Sequence, residues 1–179
     1  DQRLSRGLGD VYKRQAEQSE IFIPLRIDKV LSGIAAGLDD PNEQATLEAE
    51  LHQQTDKIVR PLPFAALDAL IEHPLVSHVT PPDLLAITSE ASAQETLSER
   101  LKGLRWAFAS MAPPGARLNR SVANALGQKS GTIDILIISH WGAVVGGADP
   151  TTVSAHLSEL TQRLVRPSRP VPELSLIHI

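Results

Sequence analysis

Strands and helices alternate along this chain, and the alternation predicts a single layered α/β domain. Three observations carry that prediction. Residues 132–139, Thr-Ile-Asp-Ile-Leu-Ile-Ile-Ser, make a nearly unbroken apolar run with the length and β-branched content of a strand buried on both faces. Residues 116–126 place Leu118, Val122 and Leu126 at helical spacing, and residues 150–164 do the same with Val153, Leu157, Leu160 and Leu164. A length of 179 residues suits one core of ordinary size.

The elements follow in order. Residues 20–25 are a short apolar run containing Pro24, which predicts a strand near a sheet edge. Ile27, Val30, Leu31 and Ile34 recur as one helical face, with Asp28 as the expected N-cap and Gly37 as the stop. Residues 39–57 are polar with weak periodicity, read as a helix of uncertain extent and a loop. A short helix is predicted over 64–72 and a strand over 75–80, halted by Pro81-Pro82. Residues 82–88 open a helix, and 93–101 form an exposed one with Leu97 and Leu101 inward. Residues 104–109 alternate as a strand, and Pro113-Pro114-Gly115 turns the chain. After the central run, 142–147 is a short return strand, and Asp149-Pro150 caps the last helix.

Both ends look foreign to this domain. Leu-Ser-Leu-Ile-His-Ile at 174–179 is the translation of CTG TCT CTT ATA CAC ATC, a transposon end used in sequencing libraries. Asp-Val-Tyr-Lys-Arg-Gln at 10–15 is the translation of its reverse complement, and residues 5–9 match the adapter codons ahead of it. Residues 1–15 and 174–179 are therefore expected to be adapter-derived and loosely packed, and 16–173 to be the natural segment, cut from a longer gene. The other reading is a basic N-terminal arm and an apolar C-terminal strand.

The net charge of −4 becomes two units more negative once the four basic and two acidic residues of those ends are set aside. That balance points away from a nucleic-acid partner. Cysteine is absent, which excludes disulfides and thiol nucleophiles and fits a reducing, cytoplasmic setting. No apolar run reaches transmembrane length, so no membrane partner is expected. The glycines of 142–147 lack the spacing of a nucleotide-binding loop, and Ser139-His140 lacks a nucleophile elbow.

Chemistry therefore rests on the histidines. His78 lies on the strand over 75–80 with Thr80 facing the same way, and His140 ends the long apolar strand. His52 and His156 sit in polar helical surroundings and are expected to be solvated. His73, before Pro74, is placed to bind carbonyls at a helix end. Asp83, at a helix N-terminus, is read as a capping residue, and Trp141 as a core side chain.

The run Arg60-Pro61-Leu62-Pro63-Phe64, then a helix, then His78-Val79-Thr80-Pro81-Pro82 resembles the class II aldolase/adducin family, whose pattern reads Arg-Pro-Ser-x-Glu and His-x-His-Pro-Pro. Ser139-His140-Trp141-Gly142 is similar to that family's Asn-His-Gly turn after a long strand. The resemblance spans about residues 19–166. It implies a three-layer fold with a mixed, mostly antiparallel sheet between helices, truncated ahead of the family's Gly-Asn-rich substrate loop. It further implies zinc as cofactor, with His78 and His140 as ligands whose imidazoles meet at one end of the sheet, a small sugar-phosphate-like ligand and a homo-oligomer. Two positions depart from the pattern. Phe64 stands where the family has its metal-binding, acid/base glutamate, and Thr80 where it has a second histidine, so no catalytic or cofactor-binding residue carries over. The expected function is a class II aldolase-like protein with metal-dependent carbon–carbon lyase activity reduced or lost; the alternative is a non-catalytic, adducin-like binding or assembly domain. Phe64 reads as an apolar plug.

Overall fold

A computed structural model describes residues 2–6, 22–41 and 64–166. Its elements in chain order are β1 (Gln2–Arg6), β2 (Phe22–Arg26), α1 (Ile27–Ala35), α2 (Ala65–Ala69), β3 (Leu75–Val79), α3 (Pro82–Thr88), α4 (Ala93–Arg100), β4 (Trp106–Ala109), α5 (Ala116–Gly127), β5 (Ile135–Ile138), β6 (Gly142–Gly147) and α6 (Pro150–Leu164).

Four strands form the central sheet in the order β3-β6-β5-β4, with only the β4–β5 pair parallel. The central pair, β5 and β6, is buried along its whole length, as a strand with apolar side chains on both faces must be. Alternation along these strands sorts the core into two layers. Leu136, Ile138 and Val144 pack with Leu67 of α2, with Ile71 just after it and with Leu118 and Val122 of α5. Ile135, Ile137 and Val145 face the opposite way, onto Leu84 and Ile87 of α3, Leu97 of α4 and Leu160 and Leu164 of α6. Each of these fully buried aliphatic side chains contributes about 1.5–3 kcal/mol from removal of apolar surface from water. The result is a three-layer α/β domain with a mixed, mostly antiparallel sheet. A smaller cluster of Leu25, Val30, Ala65 and Ala66 docks α1 onto α2.

Several local expectations are corrected. Asp28 does not cap α1: the helix begins at Ile27, and Arg26 donates to both Asp28 carboxylate oxygens at 3.2 Å, which lowers the Asp28 pKa. Asp83 makes no capping bond and stands in the first turn of α3, where its charge meets the helix dipole. The helix expected over 64–72 is only five residues long, because Leu70 and Ile71 bond three residues back, to Leu67 and Asp68, as the chain unwinds toward Pro74. By contrast Asp149 does cap α6, its Oδ1 accepting from the Thr152 N–H at 2.8 Å ahead of Pro150.

Residues 2–6, expected to be loosely packed, form β1 and pair antiparallel with β2 from Gln2↔Arg26 to Arg6↔Phe22. Main-chain pairing tolerates almost any side chain, and the open edge of β2 offers unpaired N–H and C=O groups to whatever extended segment lies near. Tyr12, residues 174–179 and most of the polar stretch at 39–57, including His52, lie outside the described residues. Among those described, no helix is long and apolar enough to cross a membrane.

Candidate functional site

β3 runs antiparallel to β6, with Val79 opposite Ala143, and β6 antiparallel to β5, with Gly142 opposite Ile138. The C-terminal ends of β3 and β5 and the start of β6 therefore gather at one end of the sheet. His78 and His140 both stand there, in different surroundings.

His78 pairs with Val144 and is half-buried. Its ring meets the edge of Phe64 at a centroid separation of 5.7 Å, and Phe64 in turn meets Trp141 at 4.5 Å, both T-shaped. Phe64 arrives from the turn that opens α2. The imidazole is thus covered by Phe64, which is itself backed by Trp141. Its Nε2 is buried and has no hydrogen-bond partner among the described residues, and desolvation pushes the His78 pKa below its ordinary value of 6.5. The sign of the linkage follows. A folded-state imidazole with a depressed pKa contributes stability that is full above the unfolded value of 6.5 and is lost as pH falls through the folded value. An NMR titration is expected to find His78 titrating below the ordinary histidine range, and Phe64→Ala is expected to move it upward by admitting water. An unchanged titration in that variant would show that the phenyl ring does not shield the imidazole.

His140 sits in the tight turn between β5 and β6 and is exposed. Its φ of 62° makes it the one non-glycine residue in the left-handed region among those described. The turn is closed by the Trp141 N–H donating to Ile138 O at 3.0 Å. α3 anchors it: the His140 N–H donates to Thr88 Oγ1 at 3.3 Å, and the Ser139 hydroxyl donates to Thr88 O at 3.4 Å. Ser139 Oγ also stands 2.8 Å from Nδ1 of His140 and holds the ring in place. Thr80 spends its hydroxyl on Trp141 O at 3.3 Å.

These residues do not fit the zinc that the resemblance implies. Zinc is held by three or four imidazole, thiolate or carboxylate ligands, and among the described residues no group of three or more such side chains is close enough to hold a metal. Phe64 presents a ring and Thr80 a hydroxyl already in use, where the family pattern has a carboxylate and an imidazole.

A second polar group lies at the other end of the sheet, and the sequence reading missed it. Asp134, just before β5, is buried. Arg105, just before β4, donates to both its carboxylate oxygens, at 2.7 Å and 2.6 Å, and His73 Nε2 stands 3.0 Å from Oδ1. So His73 bonds a carboxylate rather than the helix-end carbonyls expected of it. The signal was one acidic residue inside an otherwise apolar run, since a buried charge needs a partner. His156, expected to be solvated, is half-buried and bonds Gly146 O through Nδ1 at 2.9 Å. Trp141 is half-buried, packed on the core beside α2 and α5, as expected.

No protein-family model matches the sequence, and no curated protein matches it. Solved structures do. The N-terminal class II aldolase domain of a conserved protein from Thermoplasma acidophilum superposes with a TM-score of 0.66 at 16% identity, over 89% of this chain and 71% of that one. An aldolase II superfamily protein from Pseudomonas syringae gives 0.50 at 14% identity, over 80% of this chain and 52% of that one, so the chain spans about half of that protein's length. Identity this low speaks for architecture rather than chemistry, and the conclusion it supports is that the domain has the class II aldolase fold.

Proposed function

We propose that this is a class II aldolase-like domain in which zinc-dependent carbon–carbon cleavage of sugar phosphates or similar hydroxy-carbonyl compounds is reduced or lost. The observation that supports this most directly is Phe64 lying against His78. Cleavage of this type needs a Lewis acid to stabilise the enediolate and a base to move its proton. A phenyl ring supplies neither and shields the His78 imidazole from water. The same packing favours the second reading, an adducin-like binding or assembly domain, because an aromatic cluster of Phe64, His78 and Trp141 adds cohesion where the family places reactive groups.

The test is metal content and activity together. The purified chain, dialysed against a mild chelator, is expected to hold less than about 0.1 zinc per chain, because two imidazoles alone lose most of the chelate advantage. It is also expected to show no zinc-stimulated retro-aldol cleavage of a sugar phosphate. Stoichiometric zinc with cleavage would overturn the proposal and place the missing ligands outside the described residues or on a neighbouring subunit.

A further inference from the structure

The end of the sheet away from His78 and His140 holds a cavity of about 300 Å³, lined by Gly103, Leu104, Arg105, Asp134, Ile135, His156 and Glu159. Three of its polar side chains, Arg105, His156 and Glu159, share one feature: each is anchored through some of its atoms and keeps another without a partner among the described residues. Arg105 is fixed through Nε and Nη2 on the buried Asp134, and its Nη1 makes no hydrogen bond among the described residues. His156 is fixed through Nδ1, which donates to Gly146 O, so in the neutral ring Nε2 carries a lone pair. Glu159 is fixed through Oε1, which accepts from Arg163 Nε at 2.6 Å, and Oε2 is not engaged by the described residues. Anchored groups with open polar termini bind with little further ordering cost, which is how recognition sites hold their contacts.

The charges indicate the ligand. The cationic wall, Arg105, is balanced by Asp134, and the anionic wall, Glu159, by Arg163. A simple anion would meet Glu159 and Asp134, and a simple cation would meet Arg105. A molecule carrying both charges opposes each wall correctly, and Leu104 and Ile135 offer an apolar surface beside them. We propose that this cavity binds a small zwitterion of α-amino-acid type, its carboxylate on Arg105 and its ammonium on Glu159 and His156. The volume lies at the lower end of small-ligand pockets, which suits a molecule of that size. This inference does not depend on the state of the His78 end.

The experiment is an NMR titration of the full chain with L-valine, isobutyrate and isobutylamine, the last two keeping the carbon skeleton and one charge each. Valine is expected to shift the amides of Gly103, Leu104, Arg105 and Ile135 and to bind at least about tenfold more tightly than either analogue, the worth of one charge-assisted hydrogen bond. Glu159→Gln is expected to weaken valine about tenfold while binding isobutyrate at least as well as the parent, because a repulsive charge has been removed. That variant keeps α6 in place, because Arg163 Nη1 still donates to Arg100 O and Lys102 O at 3.1 and 2.8 Å. Arg105→Lys is expected to weaken valine and isobutyrate alike while retaining a cation for Asp134. The inference is overturned if these amides do not shift, if the analogues bind as well as valine, or if Glu159→Gln binds valine normally.

Discussion

Gly142→Ala is expected to lower stability by about 4 kcal/mol, combining left-handed backbone strain with overpacking. Gly142 follows His140 and Trp141 in the turn that opens β6, with a φ of 130° that side chains rarely adopt. A Cβ built there would lie well inside van der Waals contact distance of Val79 O and 3.2 Å from Cα and Oγ1 of Thr80. The obstacle is the backbone of a paired strand, which moves only if the β3–β6 ladder gives way. Gly103 supplies the control, since its φ of 87° is also left-handed but nothing lies within 4 Å of its would-be Cβ. Gly103→Ala is expected to cost about 1–2 kcal/mol, the conformational part alone. Urea unfolding of the two variants separates strain from close approach. For a domain of this size the Gly142 change amounts to a fall of about 8–16 °C in Tm. Equal losses in the two variants would show that β3 does not press on the turn.

The double variant Phe64→Glu with Thr80→His is expected to raise zinc retention from under about 0.1 to about one per chain. Phe64 already contacts the His78 ring, so a carboxylate at that position starts within reach of the imidazole. Thr80 lies two residues beyond His78, on the same side of the extended chain. Without metal, the new glutamate replaces a packed ring with a poorly solvated charge, so the apo variant is expected to melt below the parent. Zinc is then expected to raise its Tm, because a ligand that binds only the folded state stabilises it. Thr80→His alone tests the strand geometry, and Phe64→Ala tests whether removing the plug suffices without a new ligand. Chelator-resistant zinc in Phe64→Ala would mean that the plug, and not the missing carboxylate, keeps metal out. No gain in the double variant would show that the match of residues 60–82 to the family pattern is out of register.

Much of this architecture was legible in residue order. The buried strand in 132–139, the return strand at 142–147 and the helix opened by Asp149-Pro150 are governed by local rules: apolar runs, glycine and proline punctuation, and a capping carboxylate. The aromatic plug was legible too, since a phenylalanine at a glutamate position is a change of chemistry visible without coordinates. Asp28 was misread because its neighbour Arg26 competes for the carboxylate that capping would use.

What residue order could not decide was pairing between distant segments. Asp134 reads as an interruption of a strand until Arg105, 29 residues away, and His73, 61 residues away, are seen to converge on it. The cavity beside it needs α6 laid across the starts of β4 and β5, because only then do His156 and Glu159 share a wall with Arg105. Likewise His78 and His140 were candidates through the family resemblance, and it took the folded chain to show one imidazole shut behind Phe64 and the other beside Ser139. Periodicity and capping act over a few residues and so are written locally. Burial, desolvation and charge pairing depend on which surfaces meet, and that is decided only when the sheet and its two helical layers close on one another.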